Sequence, residues 1–280
     1  MIENNSSSPS DVISLNVAIV LFFAGWGLSL LLSPLFTASF IPDSYYKTCF
    51  TMIILELVFL LPLVVYVWKK RPGLSLKAVL GLSPLDKGIW LGLLFFTGGL
   101  LILFDALDRL LIHWVDIPQE YLSLMESLKW SRLDQAFLMI FAVSCVAPFA
   151  EETFFRGMLL NSLEHAFHKP FVAVILAAFI FAFVHAMPWY FLQIVLLGIV
   201  FGLLSSGLRS VWPAIFCHGA YNFFSMILLN LEKEPTWYSI KDQVRNGWII
   251  IAGFLLWRGI VRLQPWFSLP KPASQKSSES

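Results

Sequence analysis

Three short clusters of polar residues interrupt an otherwise strongly apolar chain. The first is Glu151-Glu152-Thr153-Phe154-Phe155-Arg156-Gly157. If a helix continues through it, Glu152 and Arg156 share a face and pair. Glu151 then lies about 100° round the axis, free to point elsewhere. The second is His185, one helical turn after Phe181, an imidazole beside an aromatic shelf. The third is His218-Gly219-Ala220-Tyr221-Asn222, which puts His218 and Asn222 on one face. A carboxylate can draw a proton from water, and an imidazole with an amide can donate to a charge growing on oxygen. Taken singly, each cluster has a structural explanation: a salt bridge at a helix end, a hydrogen-bonded core histidine, an interhelical pair of the kind that glues membrane bundles. Taken together they are costly in apolar surroundings, and that cost argues for function.

The surroundings are indeed apolar. Of 280 residues, 58% are hydrophobic and 13% charged, with 26 Phe and 11 Trp, whereas soluble domains carry about 25% charge. Mean hydropathy is +0.75. A net charge of +1 offers no cationic excess to hold nucleic acid. Cys49, Cys145 and Cys217 form no CxxC pair and read as small apolar residues rather than a disulfide framework. The composition is that of a multi-pass membrane protein.

A bilayer core takes about 20 apolar residues as helix. Runs of that kind cover 12–35, 50–68, 88–104 or a little beyond, 136–150, 171–186, 190–208, 212–229 and 248–261. The expected fold is all-α: a polytopic membrane helix bundle of about eight transmembrane helices. Residues 1–11 are a polar N-terminal tail without the basic start of a signal peptide. Residues 12–135 hold N-terminal transmembrane helices and an amphipathic segment at 116–134, expected to lie in the outer interface. Residues 136–230 hold the three clusters, 231–269 the last transmembrane helix, and 270–280 a Ser-rich tail expected to be disordered. Gly198 and Gly202, four apart, read as packing positions.

Lys69, Lys70, Arg71, Lys77 and Lys87 crowd one connection, which marks that side as cytoplasmic. With alternating spans, twelve of the 19 basic residues fall on that side and both termini with them. Glu151 would then end the fourth span at the cytoplasmic face, with His218 ~9 Å below it and His185 ~21 Å below, at 1.5 Å per residue. Those depths bring the groups together only if the fifth span is short, tilted or starts deeper.

The three clusters resemble the EExxxR, FxxxH and HxxxN motifs of the CAAX-protease and bacteriocin-processing family of intramembrane proteases, related to the Ras-converting endopeptidase. Gly157 and Leu159 extend the likeness, which covers roughly 136–229. The resemblance implies a protease in which Glu151 activates water, His185 steadies it, and His218 and Asn222 stabilise the oxyanion. Glu152, Arg156 and Phe181 would support them, with no cofactor required. Zinc held by Glu151, His185 and His218 is the lesser reading, since HExxH is absent. No GxSxG elbow surrounds Ser144 or any other serine. The expectation is an endopeptidase open to the cytoplasm, in a bacterial cell membrane. Its partners would be membrane lipid and a membrane-anchored protein or peptide substrate. Alternatives are a non-proteolytic membrane scaffold or bacteriocin-immunity protein, and, weaker, a proton-coupled transporter, since no paired halves are visible.

Overall fold

A computed structural model describes residues 12–37, 44–71, 73–112, 114–231, 235–241 and 243–267. The tails at 1–11 and 270–280 lie outside the described residues. The chain is an all-α bundle: α1 Leu15–Thr37, α2 Ser44–Lys70, a single turn α3 Leu76–Val79, and α4 Ile89–Leu111. Next come α5 Gln119–Ser127, a long α6 Leu133–Phe167, α7 Pro170–Val184, α8 Phe191–Leu208, α9 Trp212–Leu229 and α10 Asn246–Leu263. One antiparallel hairpin, β1 Ser239–Ile240 with β2 Gln243–Val244, precedes α10. All eight apolar runs are helices. Six of them (α1, α2, α4, α6, α8 and α10) are long and apolar enough to cross a membrane, so this is a multi-pass membrane protein. The other two are α7, with 15 residues, and α9, diluted by His218, Tyr221 and Asn222.

The main correction concerns α6. The sequence reading ends the fourth span at 150, whereas the helix runs unbroken from Leu133 to Phe167. Charge made the run look finished at Glu151, but Glu152 and Arg156 neutralise each other inside the bundle, so the helix carries them without surfacing. Two π-helical stretches lie within it, Ala142–Val146 before the pair and Thr153–Leu160, which contains Arg156. Such stretches are rare and gather at functional sites. α4 continues beyond 104 as far as Leu111, carrying Asp105 and Asp108 into the bundle.

Helices pack as antiparallel neighbours, most extensively α4 with α10, α7 with α8, and α1 with α2. α6 runs between two apolar cores. One joins α1, α2, α7 and the second half of α6 through Phe22, Phe59, Phe154 and Phe155. The other joins α4, α8 and α9 through Leu93, Leu100, Phe201 and Cys217. Gly198 and Gly202 do serve packing: a Cβ there would meet Ala178 Cβ at 3.0 Å and Val174 Cγ1 at 2.9 Å.

Hydrogen bonds at helix ends define two faces. Ser162 Oγ donates to the Ile13 carbonyl at 2.7 Å, Ser210 Oγ to the Ser83 carbonyl at 2.7 Å, and Ser206 Oγ to Glu164 at 2.5 Å. They gather the start of α1, the α3–α4 connection and the ends of α6 and α8. That is the face of Lys69, Lys70 and Lys77. On the opposite face Tyr46 donates to Asp134, and Trp130 N–H to Asn230 Oδ1 at 2.9 Å. There α5 forms the core of the expected amphipathic segment, and Tyr121 packs on Trp189 and Tyr190.

Candidate active site

The local fold of α6 begins the site. Pro148 has no N–H, so the turn before it loses a helical donor. Within the first π stretch the Ala147 N–H reaches back to the Ala142 carbonyl, which leaves the Val143 carbonyl free. The Asn222 side-chain amide takes it at 2.8 Å. Gly219, on the same helix as Asn222, allows this approach: a Cβ would sit 2.5 Å from the Ser144 carbonyl oxygen.

One turn further along α6 is the buried ion pair. Arg156 Nη1 donates to Glu152 Oε1 at 2.9 Å, and Arg156 Nη2 to the Gly198 carbonyl at 3.3 Å. The guanidinium lies 4.2 Å from the centroid of the Phe181 ring, a cation–π contact strengthened by desolvation. Glu152 is 0% exposed and Arg156 2%. The same Glu152 oxygen also receives His218 Nδ1 at 2.8 Å. Glu152 therefore bridges the arginine to the histidine, a larger part than pairing with Arg156 alone.

Glu151 points the other way. Its Oε2 is buried without a hydrogen-bond partner. His185 Nε2 stands 4.0 Å from it and His218 Nε2 3.9 Å. These separations exceed a direct hydrogen bond and suit one bridging water. The tautomers follow from the far nitrogens. His185 Nδ1 lies 2.7 Å from the Phe181 carbonyl, an oxygen that only accepts, so Nδ1 donates. His218 Nδ1 likewise donates to the Glu152 carboxylate. Both rings thus present Nε2 to Glu151. Phe201 stacks on the His218 ring, centroids 5.3 Å apart and 21° from parallel, and fixes its plane.

All seven sequence-derived residues meet at this place. Glu151, Glu152 and Arg156 come from α6, Phe181 and His185 from the end of α7, and His218 and Asn222 from α9. The expected mismatch in depth disappears, because Glu151 sits near the middle of α6 and not at a surface. Gly157 belongs to a contact below the site, where its Cα faces the Leu80 backbone too closely for any side chain.

A cavity of about 710 Å³ adjoins the two histidines and Asn222. It runs toward Ile112, Tyr121, Tyr190 and Leu229, at the ends of α4, α8 and α9 on the face away from the basic connections. The sequence reading gave the termini and the mouth of the site to one side. In the structure the start of α1 and the end of α10 lie on the face opposite that end of the cavity. Burial, and secondarily Asp108, hold the Tyr121 phenol above its ordinary range, so it stays neutral at the cavity roof.

Several site residues escaped the sequence reading. Asp105, Asp108, Gln193 and Tyr221 line the cavity. The signal for the two acids was their i,i+3 spacing just past the assumed end of a span. Glu56, the one carboxylate inside the apolar run 50–68, interacts electrostatically with Glu151 from α2. As for metal, ligands ~2 Å from a tetrahedral ion stand about 3.3 Å apart, closer than Glu151 Oε2 stands to either Nε2. Among the described residues no three His, Cys, Asp or Glu are grouped to hold a metal ion.

Residues 133–224 match the family described as "Rce1-like: Type II CAAX prenyl endopeptidase Rce1-like". The chain matches no curated protein and no solved structure. The matched segment contains the whole of the EExxxR, FxxxH and HxxxN set. Over that segment, about a third of the chain, it is similar to the type II CAAX prenyl endopeptidases of that family.

Proposed function

We propose that the site hydrolyses peptide bonds of membrane-anchored proteins or peptides, with Glu151 as general base. The observation that carries this reading is the Glu151 Oε2 atom: buried, without a hydrogen-bond partner, and faced by two imidazole nitrogens at 3.9–4.0 Å beside a large cavity. An unpaired carboxylate oxygen at this depth is costly; Glu152 Oε2 is unpartnered too, but its other oxygen is held by both Arg156 and His218.

The steps follow from the donors present. Water held between Glu151 and His185 gives its proton to Glu151 as its oxygen attacks the substrate carbonyl. The carbonyl oxygen becomes an oxyanion that accepts from His218 Nε2 in its doubly protonated form and from the second N–H of Asn222. The first N–H of Asn222 stays on Val143 and holds the amide in place. One such donor is typically worth about 100- to 1000-fold in rate. Glu151 then returns its proton to the leaving amine, and no acyl-enzyme forms. The Glu152 carboxylate stabilises the His218 imidazolium, and Arg156 anchors Glu152.

Applied to this fold, the positive-inside rule puts both termini in the cytoplasm of a bacterial cell. The cavity then faces the opposite side of the membrane, so the substrate reaches Glu151 from the outer leaflet or the outer interface. The test is a comparison of new protein termini in membranes carrying wild type or Glu151→Gln at matched expression. Termini formed only by wild type support hydrolysis and name its substrates. Identical termini, with a phenotype that survives the substitution, would instead support the scaffold or immunity reading.

A further inference from the structure

The cavity wall holds a second group of polar side chains, one turn from the catalytic residues along α9. Tyr221 follows His218 by three residues, and its hydroxyl lies 3.0 Å from Asp108 Oδ2 on α4. An ionised carboxylate only accepts, so the tyrosine donates to it. The tyrosine oxygen is then left to accept, and it receives the Gln193 amide nitrogen from α8. That order fixes the amide: nitrogen on Tyr221, carbonyl oxygen away from it. Gln193 is 3% exposed. Its Oε1 has no hydrogen-bond partner, and neither has Asp108 Oδ1. The neighbouring Arg109, which also lines the cavity, donates from Nε to Asp105 Oδ2 at 2.9 Å, and Tyr238 donates to the same oxygen at 2.7 Å.

Two buried acceptor oxygens, one of them on a carboxylate, therefore belong to residues that line the cavity and have no hydrogen-bond partner of their own. Burying such atoms unpaired is costly, and a ligand rich in N–H groups removes the cost. We infer that Asp108 Oδ1 and Gln193 Oε1 form a subsite for a basic side chain, lysine or arginine, of the substrate. An extended peptide advances ~3.3 Å per residue, so a residue a few positions from the scissile bond spans the turn between His218 and Tyr221. This rests on the hydrolytic reading for its substrate, but the subsite itself is testable by binding alone.

The probe is a set of decapeptides with an apolar tail, blocked at both ends, in which lysine is moved one position at a time against norleucine. The full-length protein is reconstituted in lipid nanodiscs. The Glu151→Gln protein is titrated with each peptide for affinity, and wild type is assayed for cleavage. At one register lysine should bind about 10- to 100-fold tighter than norleucine, the usual worth of hydrogen bonds to a charged group. Asp108→Asn should bring that ratio close to one, and Gln193→Glu should raise it. Both changes preserve shape, and thermal unfolding of each variant checks its fold. Equal binding of lysine and norleucine peptides at every register overturns the subsite, whatever the cleavage assay shows. A lysine preference in binding that Asp108→Asn removes, with no cleavage by wild type, upholds the subsite and overturns the hydrolytic reading.

Discussion

Asn222 donates to the main-chain carbonyl of Val143 at 2.8 Å, across 79 positions of sequence, and that carbonyl is available because Pro148 lies five residues beyond it. The missing N–H of one residue on α6 thus sets the orientation of an amide on α9. Pro148→Ala restores a donor that bonds back into the helix. The expected result is a folded protein whose Asn222 amide is no longer held, with hydrolysis down about 10- to 100-fold, the scale of an ångström-sized misplacement. Thermal unfolding and turnover on the same preparation check it. Unchanged turnover would separate the π stretch from catalysis.

Glu151→Gln keeps the shape of the side chain and removes its basicity. Because Oε2 has no partner to lose, the unfolding temperature should stay near that of wild type. Turnover should fall about 100- to 10,000-fold, the usual contribution of a general base. In wild type, 1,10-phenanthroline should leave the rate unaltered. A rate that collapses with the chelator and returns with zinc would move the chemistry to a metal held by Glu151, His185 and His218.

The Glu152–Arg156 pair has the opposite profile. Arg156→Ala leaves an uncompensated carboxylate at full burial, and breaking such a pair costs about 3–5 kcal/mol. Arg156→Lys should also destabilise, since an ammonium gives neither the planar fork nor the stacking on Phe181. Replacing both partners, Glu152→Leu with Arg156→Met, should recover much of the stability while activity stays lost, because His218 then lacks its Nδ1 partner. If the double variant were active, Glu152 would have no part in orienting His218.

The bundle was legible in the sequence because eight apolar runs and a lopsided distribution of lysine and arginine survive any uncertainty about helix ends. The candidate site was legible because ionisable groups within apolar helices are few. Depth was not legible. Hydropathy counts Glu151, Glu152 and Arg156 as the end of a span, although mutual neutralisation places them at its middle. The same counting left the end of α4 open just past 104, so it gave Asp105 and Asp108 no place in the cavity that they line. Nor did a lone Pro148 announce a π turn, since its effect depends on an Asn222 amide arriving from another helix.

Where the cavity opens decides which proteins can be substrates, and two serines on opposite faces report it. Ser75 precedes α3 on the face of the basic connections and is exposed; Ser123 is exposed on α5 across the cavity mouth. Each is changed to cysteine in a background where Cys49, Cys145 and Cys217 are replaced by alanine. Cells are then treated with a membrane-impermeant maleimide before or after lysis. With the termini in the cytoplasm, Ser123→Cys labels in intact cells and Ser75→Cys only after lysis. The reverse pattern would invert the chain in the membrane and bring Glu151 within reach of cytoplasmic substrates, the geometry that the positive-inside rule opposes. Labelling of both positions from one side would contradict the alternating helix order itself, because α3 and α5 are separated by the full length of α4.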